Sequence, residues 1–254
     1  MKKRAEGEQI DDAKEGPLSS HLLELRKRVL ISFGTLLVAF FSCFPFAEQI
    51  FLFLAEPIRD SLPDGSTFIF THPAEAFFTF MKVSFIAAIF ISIPVLYFQV
   101  WKFVAPGLYP SERKMVVPFV FFSTILFFIG GIFAYKIVFP FVFQFFISFT
   151  SETIKILPSV KEYISFVSKL LVAFGVVFQL PVLIYFLSRI GIVSTESLVE
   201  KRRYAIVGCF LLSAILTPPD VVSQVLMAFP LIILYEIGIW ISKYATKRHF
   251  EESV

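Results

Sequence analysis

Six runs of apolar residues, at about 29–46, 76–97, 115–136, 163–188, 204–216 and 221–241, leave this chain few ways to fold. Five of them reach the ~17–25 residues that a helix needs to cross a hydrocarbon core ~30 Å thick. The run from Tyr204 to Leu216 would be only ~20 Å long at ~1.5 Å per residue, so a thinned bilayer or an incomplete crossing is expected there. Strands of a membrane barrel would alternate polar and apolar residues. Unbroken apolar runs instead require helices, which satisfy their own backbone in lipid. Composition agrees: 57% of the 254 residues are hydrophobic, 35 are Phe, and 17% are charged. With a mean hydropathy of +0.79, that is more apolar surface than a soluble core could bury. The fold class expected is an all-α integral membrane protein with six transmembrane helices.

Orientation follows from the basic residues. Of 23 Lys and Arg, seventeen precede the first run, follow the last, or lie in 98–114 and 189–203. The opposite loops, 47–75 and 137–162, hold only Arg59, Lys155 and Lys161. The excess of positive charge predicts that both termini are cytoplasmic. A re-entrant pairing of the last two runs would leave that orientation unchanged. The domain reading is a polar cytoplasmic tail (1–17), one six-span domain (18–242) and a second cytoplasmic tail (243–254).

Pro45, Pro94, Pro118, Pro140, Pro181, Pro218, Pro219 and Pro230 lie in or at the ends of the runs. Each removes a backbone donor and favours a kink or a stop, so the bundle is expected to curve around a concave face. The first residues are charged and lack an apolar core, and no cleaved signal peptide is expected. Cys43 and Cys209 fall within apolar runs and read as buried thiols, with no disulfide framework.

Enzymatic chemistry finds no foothold. His21, His72 and His249 form no His-Glu-x-x-His, and Gly-x-Ser-x-Gly, Cys-x-x-Cys and a phosphate-binding Gly-rich loop are missing too. No catalytic residue, metal site or cofactor is expected, and energy for any work would come from a partner or an ion gradient.

The polar residues near the membrane edge therefore carry the functional question. Leu18, Leu22, Leu25 and Val29 form one apolar stripe, predicting a helix that lies at the cytoplasmic surface. His21, Glu24 and Arg28 share its polar side, and Glu24 precedes Arg28 in the favourable i,i+4 order. Glu24 either neutralises its basic neighbours or receives a cationic ligand. Glu112 poses the same choice: with Ser111 it suits the start of the third span, yet it sits among basic residues on the same side. Trp101, Phe103 and Tyr109 read as an aromatic belt.

Within the runs, Lys82 reads as a snorkelling lysine. Glu236 is expected to reach Lys243 or headgroups, and Gln179 to form an interhelical hydrogen bond inside the bundle or to another subunit. Glu75 in Thr71-His-Pro-Ala-Glu75 suits the first turn of a helix. Thr217-Pro-Pro-Asp220 reads as a stiff structural turn built on Pro218, Pro219 and Asp220.

Taken together, His21-Leu-Leu-Glu-Leu-Arg-Lys-Arg28, Thr71-His-Pro-Ala-Glu-Ala-Phe-Phe78, Ala105-Pro-Gly-Leu-Tyr-Pro-Ser-Glu-Arg113, Phe174-Gly-Val-Val-Phe-Gln-Leu-Pro181 and Leu216-Thr-Pro-Pro-Asp-Val-Val-Ser-Gln224 resemble TatC, the multispanning receptor subunit of the twin-arginine protein translocase. The resemblance covers about residues 17–245. It implies a receptor in the inner membrane that binds the twin-arginine signal peptides of folded export substrates at the cytoplasmic face and scaffolds a translocase driven by the proton motive force. It implies signal-peptide binding by Glu24 and Glu112 with Phe103 beside them, supported by His21, Arg26 and Arg113. It further implies single-span TatA and TatB type partners against the last two spans, through Gln179, Ala214 and Ile215, together with self-association, lipid contact and no nucleic acid. A secondary transporter of a small solute is the competing class, although neither repeated halves nor midplane substrate groups stand out.

Overall fold

The computed structural model describes residues 17–59, 68–70, 72–107, 115–148, 158–217 and 221–251. The assignments made above to Glu112, Arg113, Pro218, Pro219 and Asp220, and to the first sixteen residues, lie outside them. Helix α1 (Pro17–Cys43) passes through a 3-10 turn at Phe44–Phe46 into α2 (Ala47–Arg59), and α3 follows at Glu75–Val104. Next come α4 (Val116–Phe133), a π turn at Ala134–Val138 and α5 (Phe139–Ile147). The chain continues through α6 (Val160–Val177), α7 (Leu180–Arg189), α8 (Thr195–Glu200), α9 (Arg202–Leu216) and α10 (Val221–Glu251).

Among the described residues, five helical stretches are long and apolar enough to cross a membrane: His21–Arg59, Glu75–Val104, Val116–Ile147, Val160–Arg189 and Val221–Lys243. The remaining apolar run does form a helix, α9, but its 15 residues reach only ~22 Å. Prolines shape the long stretches as their chemistry requires. Pro45 sits in the 3-10 turn, Pro140 begins α5 beside the π turn, and Pro181 follows the break between α6 and α7. Pro94 and Pro230 are carried inside α3 and α10.

One expectation is corrected at the start. The segment with Leu22, Leu25 and Val29 is not a separate helix lying on the surface, because α1 runs unbroken into the first apolar run. Those three side chains point outward, at 63%, 39% and 57% exposure, and the polar side of the helix faces its neighbour. In lipid the outward face is the apolar one, so the stripe marks the face away from the bundle.

The centre of the bundle is α6, packed on α3 and α4, while α1 lies along α3 and α7 along α10. Fully buried Phe127, Phe139, Phe174, Ile164, Leu170, Met227 and Leu231 form its core. Because lipid tails provide little hydrophobic drive between helices, close approach over small residues matters more here than in water. A Cβ on Gly130 would stand 2.6 Å from the Phe174 carbonyl oxygen, and one on Gly175 would stand 2.6 Å from the Phe127 ring. α4 and α6 therefore pack glycine against phenylalanine in both directions. Cys43 and Cys209 are buried free thiols, as their positions predicted.

The end of the bundle away from His21 is closed by polar ties. Ile69 pairs with the 158–160 backbone, donating to Pro158 O and accepting from Val160 N, each at 3.2 Å. Glu75, only 4% exposed, accepts from Ser159 Oγ and Lys161 N at 2.9 Å and from His72 N at 3.3 Å. The first-turn position predicted for Glu75 is correct, but its larger role is to bind the start of α3 to the start of α6. Tyr135 and Tyr163 donate to the carbonyls of Phe53 and Leu54 at 2.7 and 2.6 Å, anchoring α2.

Candidate functional site

The opposite end of the bundle brings the first turns of α1 against the last turns of α3. Trp101 is what aims this part of α3. Its indole is buried, stacks on Phe119 at 4.5 Å and meets Phe186 edge-on at 4.8 Å. Its Nε1 reaches Ser123 Oγ at 3.4 Å. The belt reading is thus corrected for Trp101, whose large ring gains more from two aromatic neighbours than from a place at the lipid edge.

With Trp101 turned inward, Lys102 and Phe103 are presented toward α1. The His21 imidazole stacks on the Phe103 ring with centroids 4.4 Å apart and planes 26° apart. One turn further along α1, Arg28 donates from Nη2 to Glu24 Oε1. Arg28 is the more enclosed partner, with 12% side-chain exposure against 33% for Glu24. Its Nε is buried with no hydrogen-bond partner among the described residues.

The electrostatics of this corner favour an ionised acid. Glu24 lies ahead of the apolar run, and the Arg28 guanidinium bonded to it holds its carboxyl below the usual carboxylate range, with His21 and Lys102 adding positive charge. Arg28 engages Oε1, while Oε2 accepts no bond from the described residues. Such a carboxylate is charged, partly open and bordered by an aromatic stack, which suits a planar guanidinium: its fork of donors matches a carboxylate and its face stacks on rings.

The structure therefore brings together His21, Glu24 and Phe103, and adds Arg28 and Lys102. Lys102 went unnoticed in the sequence because a lone lysine at a membrane edge is ordinary. Only the helix crossing sets its charge beside Glu24. Arg26 is exposed on the outer side of α1.

Gln179 stands at the break between α6 and α7, where its Nε2 donates to Ser123 O at 3.1 Å and to Gly175 O at 3.2 Å. The expected interhelical bond is thus made within the bundle, to α4. Its Oε1 is buried without a hydrogen-bond partner among the described residues. Ala214 and Ile215 are exposed on α9, Ile215 at 77%. Glu236 does not reach Lys243 but pairs with Arg202 at 2.9 Å, because α9 packs beside α10 and supplies a nearer cation. Lys82, rather than only snorkelling, donates to Ser165 Oγ at 2.7 Å. Among the described residues no cluster of His, Cys, Asp and Glu could hold a metal ion.

Residues 20–230 match the family described as Sec-independent protein translocase protein (TatC). The Sec-independent protein translocase protein TatC of Magnetococcus marinus is 47% identical over 243 residues, covering 96% of this chain and 90% of that protein. The TatC of Escherichia coli strain K12 is 44% identical over 228 residues, covering 90% and 88%. A crystal structure of the twin-arginine translocase receptor TatC superposes with a TM-score of 0.81 at 41% identity, covering 89% of this chain and 99% of that one.

Proposed function

Because this chain belongs to the TatC family of Sec-independent protein translocase proteins, a multi-pass membrane family of protein transport, we propose that it recognises twin-arginine signal peptides through Glu24, Glu112 and Phe103. The observation that carries this reading is the ionised, half-open Glu24 carboxylate beside the His21–Phe103 stack. A guest guanidinium would bond Glu24 at Oε2 while Arg28 keeps Oε1 and sustains the negative charge. Glu112, on the segment that follows α3 in the chain, would receive the second arginine. Arg113 would orient Glu112, and Arg26 would meet lipid phosphate on the outer side of α1.

The direction of binding follows from the charge distribution. With the basic residues gathered at the His21 end, both termini would face the cytoplasm of a cell whose inner membrane holds the protein. Folded cargo would then be presented from the side on which it is made, with the proton motive force as energy source. Single-span TatA and TatB type partners would lie along α9 and α10, where Ala214 and Ile215 face outward. The shortness of α9 favours a neighbour that shields its ends. Gln179 would influence those partners by holding the break between α6 and α7 against α4.

The test is the affinity of an Arg-Arg signal peptide and its Lys-Lys version for the wild type, Glu24→Gln and Glu112→Gln proteins in nanodiscs. Each glutamine variant is expected to weaken Arg-Arg binding about tenfold or more and to narrow the preference over Lys-Lys, as loss of a charge-assisted hydrogen bond requires. Binding equal to wild type in both variants would remove the assignment.

A further inference from the structure

At the end of the bundle away from His21, two lysines sit inside the apolar helical stretches, where an unpaired charge is costly. Lys82 is seven residues into α3 and Lys169 nine residues into α6, which places them ~10 and ~13 Å inside the helix ends. Both are exposed. Lys82 Nζ donates to the neutral Ser165 Oγ at 2.7 Å, and Lys169 follows Ser165 by one helical turn on the same face of α6. Neither ammonium has a carboxylate partner among the described residues. An intramembrane ammonium facing hydrocarbon is costly, and a counter-anion is the ordinary remedy.

The surroundings suit one kind of anion. A cavity of about 460 Å³ between α5, α6 and α9 is lined by Phe146, Phe166, Leu216, Glu162, Ser165 and Lys169. It is apolar along one wall and polar along the other, in the size range of small-molecule sites, ~300–1,000 Å³. On the other side of Ser165, Lys82 borders a recess of about 280 Å³ that also holds His72 and Lys161. The Glu75 carboxylate in that recess is already engaged by Ser159 and by two backbone amides. Among the described residues that line the cavity and the recess, Lys82, Lys161 and Lys169 outnumber the one further acid, Glu162.

We propose that Lys82, Ser165 and Lys169 form a binding site for the phosphate of a membrane phospholipid, with an acyl chain lying against Phe146, Phe166 and Leu216. The two ammoniums and the hydroxyl supply donors to the phosphodiester oxygens. The apolar wall separates a lipid from free phosphate, which would leave that wall bare. The site goes beyond the receptor reading and is independent of it, since it lies at the other end of the bundle from Glu24.

The experiment is native mass spectrometry of the detergent-solubilised full chain titrated with phosphatidylglycerol, with diacylglycerol, and with phosphatidylglycerol in millimolar inorganic phosphate. Phosphatidylglycerol is expected to bind about tenfold more tightly than diacylglycerol, and inorganic phosphate to leave it in place. Lys82→Gln with Lys169→Gln should abolish the difference. Lys82→Arg with Lys169→Arg should keep it, which separates loss of the site from loss of the fold. Lys136→Gln, which removes a lysine elsewhere in the same half of the bundle, should leave it unchanged. An unaltered preference in the double glutamine variant, displacement by inorganic phosphate, or an equal loss in Lys136→Gln would overturn the proposal.

Discussion

The imidazole of His21 lies nearly flat on the ring of Phe103, with centroids 4.4 Å apart, and this contact joins the first turns of α1 to the last turn of α3. Neither residue belongs to the apolar runs that define the spans. Their meeting depends on the packing of α1 along α3, and it borders the corner that holds Glu24.

Loss of the ring from Phe103 should therefore weaken both the corner and its ligand. Phe103→Ala is expected to lower stability by ~0.5–1.5 kcal/mol beyond the loss of buried area, the worth of an aromatic pair, and to reduce signal-peptide affinity in the same preparation. Phe103→Tyr should retain most of both. Thermal unfolding together with peptide titration reads the two effects, and an alanine variant indistinguishable from wild type would show that the stack contributes nothing.

Arg28 should control the ionisation of Glu24. Glu24 has its carboxyl held below the ordinary value of 4.5, chiefly by the Arg28 hydrogen bond. A lowered folded-state value means that this group adds stability which is fully present above its unfolded value and is lost as pH falls through the lower folded one. In a ¹³C NMR titration of labelled glutamate, the Glu24 midpoint should lie below that of a free side chain in wild type and move upward in Arg28→Gln. Coincident midpoints in the two proteins would refute the coupling.

The crossing of α4 over α6 should be intolerant of a single methyl. Gly130→Ala places a carbon 2.6 Å from the Phe174 carbonyl oxygen, and backbone on both sides leaves little room to yield. A cost of ~1–3 kcal/mol is expected, in the range of overpacking. Gly34→Ala, where nothing lies within 4 Å, should be neutral or slightly stabilising through helix propensity. A denaturation series that ranks the two variants the other way would contradict this account of the crossing.

Much of the architecture was legible in the residues. The positions of the apolar runs, the breaks near Pro45, Pro140 and Pro181, and the burial of both cysteines follow from local chemistry that acts within a few residues. The Glu24 to Arg28 pair was legible for the same reason, since both lie on one helix face four residues apart. Other features were not. Glu236 found Arg202 rather than Lys243, Trp101 turned from the lipid edge into an aromatic cluster, and Lys82 found Ser165. Each of these partners lies on a different helix, and a helical period fixes which face a residue occupies but not which neighbour meets that face.

By itself, then, the chain's sequence determined that it must be a bundle of membrane helices, where those helices break, and, through five short motifs, which family it resembles. Hydrophobic length and proline chemistry suffice for the first two because the bilayer leaves backbone polar groups almost no alternative to a helix. Tertiary structure alone decided that the polar side of α1 faces inward, that Phe103 lies under His21, and that Lys82 and Lys169 flank one serine. Those outcomes depend on which helices lie side by side and which faces they turn to one another, relationships that arise only once residues distant in sequence are packed together.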